Sequence, residues 1–216
     1  MHVEVITKGL PLVLAAVAFS SMAGSGVTTA AASAAEPPSR PGSAAGSGSS
    51  LPTAPGPPGP LVDLAVRRLL VSDQVATAKF GTPQPIDDPA REQQELTQVR
   101  QQAVALGIDP DATVALFQDQ ITASKVVQRG LFTRWTAHPG LAPTTKPDLG
   151  RIRTRLDQLT AEILNQLADT ETVRRADGTC RADLAVARVT AGALDHLDGL
   201  HRHALSIALQ SVCRSA

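Results

Sequence analysis

Apolar residues recur every three or four positions through most of the chain after residue 60, which is the period of an α-helix. The pattern predicts helices over about 61–79, 89–106, 112–135, 149–167 and 182–212, the last with a break near Gly192 or Gly199. No segment shows the alternation of a β-strand. The chain is therefore predicted to be all-α, a single helical domain of about five to six helices.

The second predicted helix places charges where its apolar stripe points inward. It starts with Asp88 as N-cap and Pro89 at the first helical position, where a missing N–H costs nothing. Extended backwards by four residues, the stripe reaches Glu92, and Arg91 is its neighbour. The stripe consists of Leu96, Val99, Ala103 and Leu106. A carboxylate and a guanidinium are therefore predicted to face the core.

Polar residues also occupy positions of the apolar stripes on the other long helices. Arg68 fills a core position of the first helix, and Lys79, 11 residues later, projects from the same face. Ser124 and Gln128 continue the stripe of the third helix, and Arg153 lies at the edge of the fourth stripe.

One such cation is ordinarily a side chain whose charged head reaches water. Several together are harder to explain in this way, because unpaired buried cations cost several kcal/mol each. The set therefore predicts a pocket for a small ligand with more than one negative group.

The N-terminal 60 residues have a different composition. Lys8, the apolar run 10–19 and Ala32-Ser33-Ala34 are typical of a secretory signal peptide over 1–34. A retained membrane anchor is the alternative, although the run is short for a bilayer. Residues 35–60 are rich in Pro, Gly, Ser and Ala, which predicts a disordered linker. The folded domain is expected over 61–216, and the mature protein is expected to be secreted.

Charge gives no sign of a macromolecular partner. The chain has 20 basic and 20 acidic residues and a formal net charge of zero. This balance provides no electrostatic footprint for nucleic acid or an anionic membrane. No nucleic acid and, after signal cleavage, no membrane is expected to bind.

Two cysteines, Cys180 and Cys213, lie in the predicted domain. In an exported chain such a pair most simply forms a disulfide, and a metal site is the weaker alternative because no matching ligand spacing accompanies it. His196, His201 and His203 are predicted to lie on a solvated face, since no carboxylate or cysteine spacing completes a metal site. No metal is predicted.

At this point the polar residues resemble a known family, the all-α chorismate mutases, and the export signal and cysteine pair resemble its secreted subclass. Four segments carry the resemblance. They are VRRLLVSDQVATAKF with Arg68 and Lys79, DDPAREQQ with Asp88, Arg91 and Glu92, FQDQITASKVVQ with Ser124 and Gln128, and PDLGRIRTRLD with Arg153.

The resemblance implies a rearrangement of chorismate to prephenate without a cofactor. By the family pattern, Arg68 and Arg153 would pair with the substrate carboxylates, while Lys79 and Gln128 would donate hydrogen bonds to its ether oxygen. Arg91 and Glu92 would frame the ring hydroxyl, and Asp88 would orient Arg91. Ser124 would contact a carboxylate or the ring. The resemblance also implies a homodimer.

Two questions stay open at the level of sequence. Glu95 lies one turn from Arg91 and competes with Glu92 for the substrate hydroxyl. The alternative to an enzyme is a non-catalytic exported helical bundle that binds a small anion or a partner protein. Such a bundle would keep the cations but would not require the side chains of Lys79 and Gln128 to converge on one point.

Overall fold

The protein is described by a computed structural model over residues 54, 56–175 and 177–213. This part of the chain contains seven α-helices, one 3-10 turn at Pro139–Leu141 and no strand. The helices are α1 (Gly59–Lys79), α2 (Pro89–Leu106), α3 (Pro110–Ala137), α4 (Leu149–Asp169), α5 (Glu171–Arg175), α6 (Asp177–Leu194) and α7 (Gly199–Ala208). The predicted all-α fold is confirmed.

Helix α3 lies at the centre and packs against α1, α2 and α7, while α1 also packs against α4 and α6. Phe117 of α3 is fully buried, as are Leu61 of α1 and Ile163 of α4. Gly130 permits the close approach of α3 to α7, because a Cβ there would lie 2.6 Å from the Leu200 side chain. The central position of α3 brings its polar half beside α1 and α2.

The ends of α2 agree with the predicted signals. The Asp88 carboxylate accepts a hydrogen bond from the Arg91 backbone N–H at 3.1 Å. Gly107 ends the helix with φ 70°, a conformation that favours glycine. Leu106, which the periodicity predicts to face inward, is 43% exposed because the helix ends at this residue.

The structure describes residues 54 and 56–60 of the predicted N-terminal linker. The predicted signal peptide and most of the predicted linker lie outside the described residues. Helix α1 begins at Gly59, two residues before the predicted domain start. Buried Ala54 donates its backbone N–H to the Asp63 carboxylate at 3.3 Å. None of the described helices is long and apolar enough to cross a membrane.

The C-terminal region is more divided than the sequence predicts. The last predicted helix consists of α6 and α7, separated at residues 195–198, and the short α5 was not predicted. Asp198 begins α7 as an N-cap by accepting the backbone N–H of His201 at 2.9 Å. The predicted disulfide is confirmed: Cys180 of α6 is bonded to Cys213, with 5.8 Å between their Cα atoms.

The break between α6 and α7 overturns the expectation for one histidine. His196 and His203 are exposed, as predicted, but His201 is buried. Its Nε2 lies 2.9 Å from Asp73 of α1, and its Nδ1 lies 2.7 Å from Asp198. The hydrogen bond to Asp73, followed by that to Asp198, raises the pKa of His201 to about 9. His201 is therefore an imidazolium that ties α7 to α1.

Candidate active site

A cavity of about 400 Å³ lies among α1, α2, α3, α4 and the segment between α1 and α2. Each residue proposed from sequence as a catalytic or substrate-binding residue lines it. They are Arg68, Lys79, Asp88, Arg91, Glu92, Glu95, Ser124, Gln128 and Arg153. The fold thus brings together residues that are up to 85 positions apart in the sequence (153 − 68).

Arg68 is a buried residue of the cavity wall. It is 6% exposed, and its guanidinium carbon lies 5.5 Å from the centre of the Phe117 ring. One terminal nitrogen donates to the Thr160 hydroxyl at 3.1 Å and to the Leu156 carbonyl at 3.4 Å. The other donates to the carboxylate of Glu95. These contacts from α2 and α4 fix the orientation of the guanidinium.

Gln128 belongs to a short hydrogen-bonded chain across α1 and α3. The Ser72 hydroxyl donates to the Ser124 hydroxyl at 2.9 Å, and Nε2 of Gln128 donates to the same oxygen at 3.1 Å. The Oε1 atom of Gln128 is buried and has no hydrogen-bond partner within the described residues. Nε2 retains a second N–H, since an amide nitrogen carries two donors. Ser72 was not predicted from sequence.

Lys79 lies at the C-terminal end of α1. Its Nζ donates to the Pro85 carbonyl at 2.8 Å. Burial lowers the pKa of Lys79, and the charge of Arg153 acts in the same direction. The carboxylates of Asp88, Asp87 and Glu92 partly oppose this shift. The lysine is partly buried, and partial removal from water strengthens the interaction of its ammonium with a negatively charged atom.

Glu92 uses both carboxylate oxygens. Oε1 accepts the backbone N–H of Asp88 at 3.2 Å, which completes a reciprocal cap with the Asp88 side chain. Oε2 lies 2.7 Å from Nζ of Lys125, which also lies 3.2 Å from Asp87. Hydrogen bonding to Glu92 raises the pKa of Lys125. Lys125 was missed because it falls one position outside the stripe that contains Ser124.

Arg91 and Arg153 line the cavity but are largely exposed. The Arg91 guanidinium donates to Gln94 at 3.3 Å. Asp88 bonds to the Arg91 backbone rather than to its guanidinium, so the contact that would orient the Arg91 side chain is not formed in this structure. These two arginines are free to adjust when a ligand enters.

The cavity wall combines five cations with four carboxylates. The cations are Arg68, Lys79, Arg91, Lys125 and Arg153, and the carboxylates are Asp88, Glu92, Glu95 and Asp157. Arg68 and Lys125 form ion pairs with Glu95 and Glu92. Within the described ranges, Lys79, Arg91 and Arg153 form no ion pair, so three cations remain available to an anionic ligand.

In the part of the chain that the structure describes, no group of three or more His, Cys, Asp or Glu side chains is arranged to hold a metal ion.

Together, the fold and the site define an all-α protein with a polar, cation-rich cavity suited to a small anion. Residues 60–129 match the family described as chorismate mutase type II. The chain is 37% identical over 155 residues to the secreted chorismate mutase of Mycolicibacterium smegmatis, covering 72% of this chain and 85% of the relative. It is 36% identical to the secreted chorismate mutase of Mycobacterium tuberculosis, covering 72% of this chain and 77% of that relative.

A solved structure of a chorismate mutase is also similar to this chain. The chorismate mutase of Burkholderia phymatum superposes with a TM-score of 0.68 at 35% identity, covering 72% of this chain and 95% of that protein. The chain therefore belongs to the chorismate mutase family, and it is an enzyme of that class. The resemblance found in the sequence is confirmed.

Proposed function

We propose that this protein is an exported chorismate mutase that converts chorismate to prephenate in the cavity described above. The proposal rests on the finding that all of the predicted site residues line one cavity, in which three cations form no ion pair with any carboxylate of the described residues. Chorismate has two carboxylates, an enolpyruvyl ether and a ring hydroxyl. Its charges thus complement those cations.

In the proposed mechanism, Arg68 and Arg153 pair with the two carboxylates, and Ser124 contacts the carboxylate side or the ring. Such pairing holds the flexible substrate in its compact conformer, which removes part of the entropic barrier. Lys79 and Gln128 donate to the ether oxygen, where negative charge develops as the C–O bond breaks. The rearrangement needs no covalent intermediate and no cofactor.

At the ring hydroxyl, we assign Glu92 rather than Glu95. Glu92 is held by Lys125 and by the backbone of Asp88, so that its carboxylate is oriented before the substrate arrives. Glu95 is instead paired with Arg68. Arg91 completes the contact to the hydroxyl.

The test is an assay of chorismate consumption by the folded, oxidised protein without metal or nucleotide. Turnover is expected, and it should be lost in Arg153→Ala with helicity unchanged. Arg155→Ala is the matched control, because Arg155 is an exposed arginine on the same helix outside the cavity. Absence of turnover by the wild type would favour a non-catalytic anion-binding bundle, and full kcat/KM in Arg153→Ala would remove Arg153 from the site.

Export and assembly are further parts of the proposal. The relatives from Mycolicibacterium smegmatis and Mycobacterium tuberculosis are described as secreted, and residues 1–34 have the composition of a signal peptide. Expression of the full chain in a related host, followed by N-terminal sequencing of protein from the medium, should show cleavage near Ala34. Light scattering of the mature protein should give the mass of a homodimer.

A further inference from the structure

Glu95 and Arg68 form an ion pair in the wall of the cavity. The Arg68 side chain is 7% exposed and the Glu95 side chain is 28% exposed. Arg68 is also fixed by Thr160, by the Leu156 carbonyl and by the Phe117 ring. The guanidinium is therefore held in place from several sides, whereas the Glu95 side chain is partly exposed.

A guanidinium this deeply buried needs a counter-ion, since a single unpaired charge in a protein interior costs several kcal/mol. Glu95 supplies that charge in the unliganded cavity. The proposed function assigns the same guanidinium to a substrate carboxylate. Two carboxylates would then face one cation, and their mutual repulsion in a poorly solvated site weakens binding of the second.

We propose that Glu95 is the resident counter-ion of Arg68, and that it sets the affinity of the site for the substrate carboxylate. This inference rests on the proposed function. Glu95 is a positioning residue. It orients Arg68 before substrate binds, and it loses part or all of its contact with the guanidinium when the substrate carboxylate binds there. It makes no contact with the ring hydroxyl.

The surroundings of Glu95 allow it to move. Arg91 lies four residues earlier on α2, a spacing at which a carboxylate and a guanidinium pair across one helical turn. The Arg91 guanidinium forms no ion pair in the described part of the chain, and its hydrogen bond there goes to Gln94, at 3.3 Å. The cavity thus contains a second cation within reach of the displaced carboxylate.

The decisive variant is Glu95→Gln. The amide oxygen still accepts a hydrogen bond from Arg68, but the negative charge is gone. We expect KM for chorismate to fall about tenfold, equivalent to about 1.4 kcal/mol of binding, while kcat stays within about twofold. Glu162→Gln is the matched control, because it removes a charge of the same sign from an exposed glutamate that faces Arg155 on α4.

An unchanged KM in Glu95→Gln would overturn the inference, as would a fall in kcat/KM of tenfold or more, which would indicate that the charge itself is needed. A fall in KM of equal size in the Glu162→Gln control would show a general charge effect and would also overturn it. Calorimetric titration of prephenate measures the same change in affinity without turnover. An inactive wild type would therefore refute the proposed function and still decide the role of Glu95.

If Glu95→Gln does not fold, a crystal structure of the wild type with prephenate decides the question. A ligand carboxylate bonded to Arg68, with Glu95 shifted towards Arg91 or sharing the guanidinium, supports the inference. A ligand carboxylate bound elsewhere, with the Glu95–Arg68 pair intact, contradicts it.

Discussion

Lys125 of α3 and Glu92 of α2 form an ion pair, with Nζ and Oε2 2.7 Å apart. Lys125 also lies 3.2 Å from Asp87, in the segment between α1 and α2. Asp87 is in turn bound by Arg129 of α3 at 2.7 Å. The ammonium group therefore connects three parts of the chain around the position that we assign to the substrate hydroxyl.

Replacing Lys125 by methionine should lower kcat/KM about tenfold, because Glu92 loses the contact that orients its carboxylate. Lys125→Arg should recover most of this loss. The control is Arg100→Met, which removes a cation from an exposed pair with Asp111 outside the cavity. Steady-state kinetics would contradict the assignment if Lys125→Met and Arg100→Met had the same kcat/KM.

The amide of Gln128 should make turnover insensitive to pH. An amide donates a hydrogen bond without titrating, so kcat of the wild type should be nearly flat from about pH 5 to 8. In Gln128→Glu, kcat should fall at least about tenfold as pH rises through this range, because only a protonated carboxyl can donate a hydrogen bond to the ether oxygen. A steep loss of wild-type kcat above about pH 6 would count against Gln128 as the donor.

The ion pairs of His201 predict a loss of stability at alkaline pH. Its pKa of about 9 in the folded protein lies above the ordinary value of 6.5. The stabilisation is therefore complete below about pH 6.5 and disappears as pH rises through about 9. Thermal unfolding should show a Tm lower by about 2–4 °C or more at pH 9.5 than at pH 6, for roughly 1 kcal/mol lost.

His201→Gln supplies the comparison for this prediction, because glutamine cannot carry the charge. Its Tm should vary less with pH than that of the wild type over the same interval. Equal pH dependence in the two proteins would assign the alkaline loss of stability to other groups.

The disulfide should contribute stability and leave catalysis unchanged. Cys180 and Cys213 are 33 residues apart, and closing a loop of this length stabilises by roughly 4 kcal/mol in the chain-entropy model. Cys180→Ser/Cys213→Ser should lower the urea midpoint accordingly. Neither cysteine lines the cavity, so kcat/KM of the folded variant should match the wild type. An unchanged midpoint would contradict this prediction.

The sequence predicted the four long helices α1 to α4 and nine residues of the cavity wall because these depend on local periodicity. Asp88 and Gly107 mark the ends of α2, and the inward positions of Arg68 and Gln128 follow from the 3.6-residue period. The residue pairs across the cavity could not be predicted in this way. The partner of Glu95 is Arg68 on another helix, and such a pair depends on how α1 and α2 pack.

The C-terminal region shows a second limit. The start of α7 depends on Asp198, which also binds the side chain of His201. The residues around His201 in the sequence do not reveal that the carboxylate of Asp73, 128 positions earlier, binds Nε2 of His201. The burial of His201 was therefore not predictable from periodicity.

The central claim is that the chain isomerises chorismate by stabilising charge on the ether oxygen. The most direct measurement follows chorismate and prephenate by NMR with purified, oxidised protein and EDTA, comparing the wild type with Lys79→Met. The wild type should convert chorismate to prephenate, and Lys79→Met should lower kcat by about 10²–10³ with unchanged helicity. A wild type without turnover, or a Lys79→Met variant whose kcat is within about threefold of the wild type, would contradict the account.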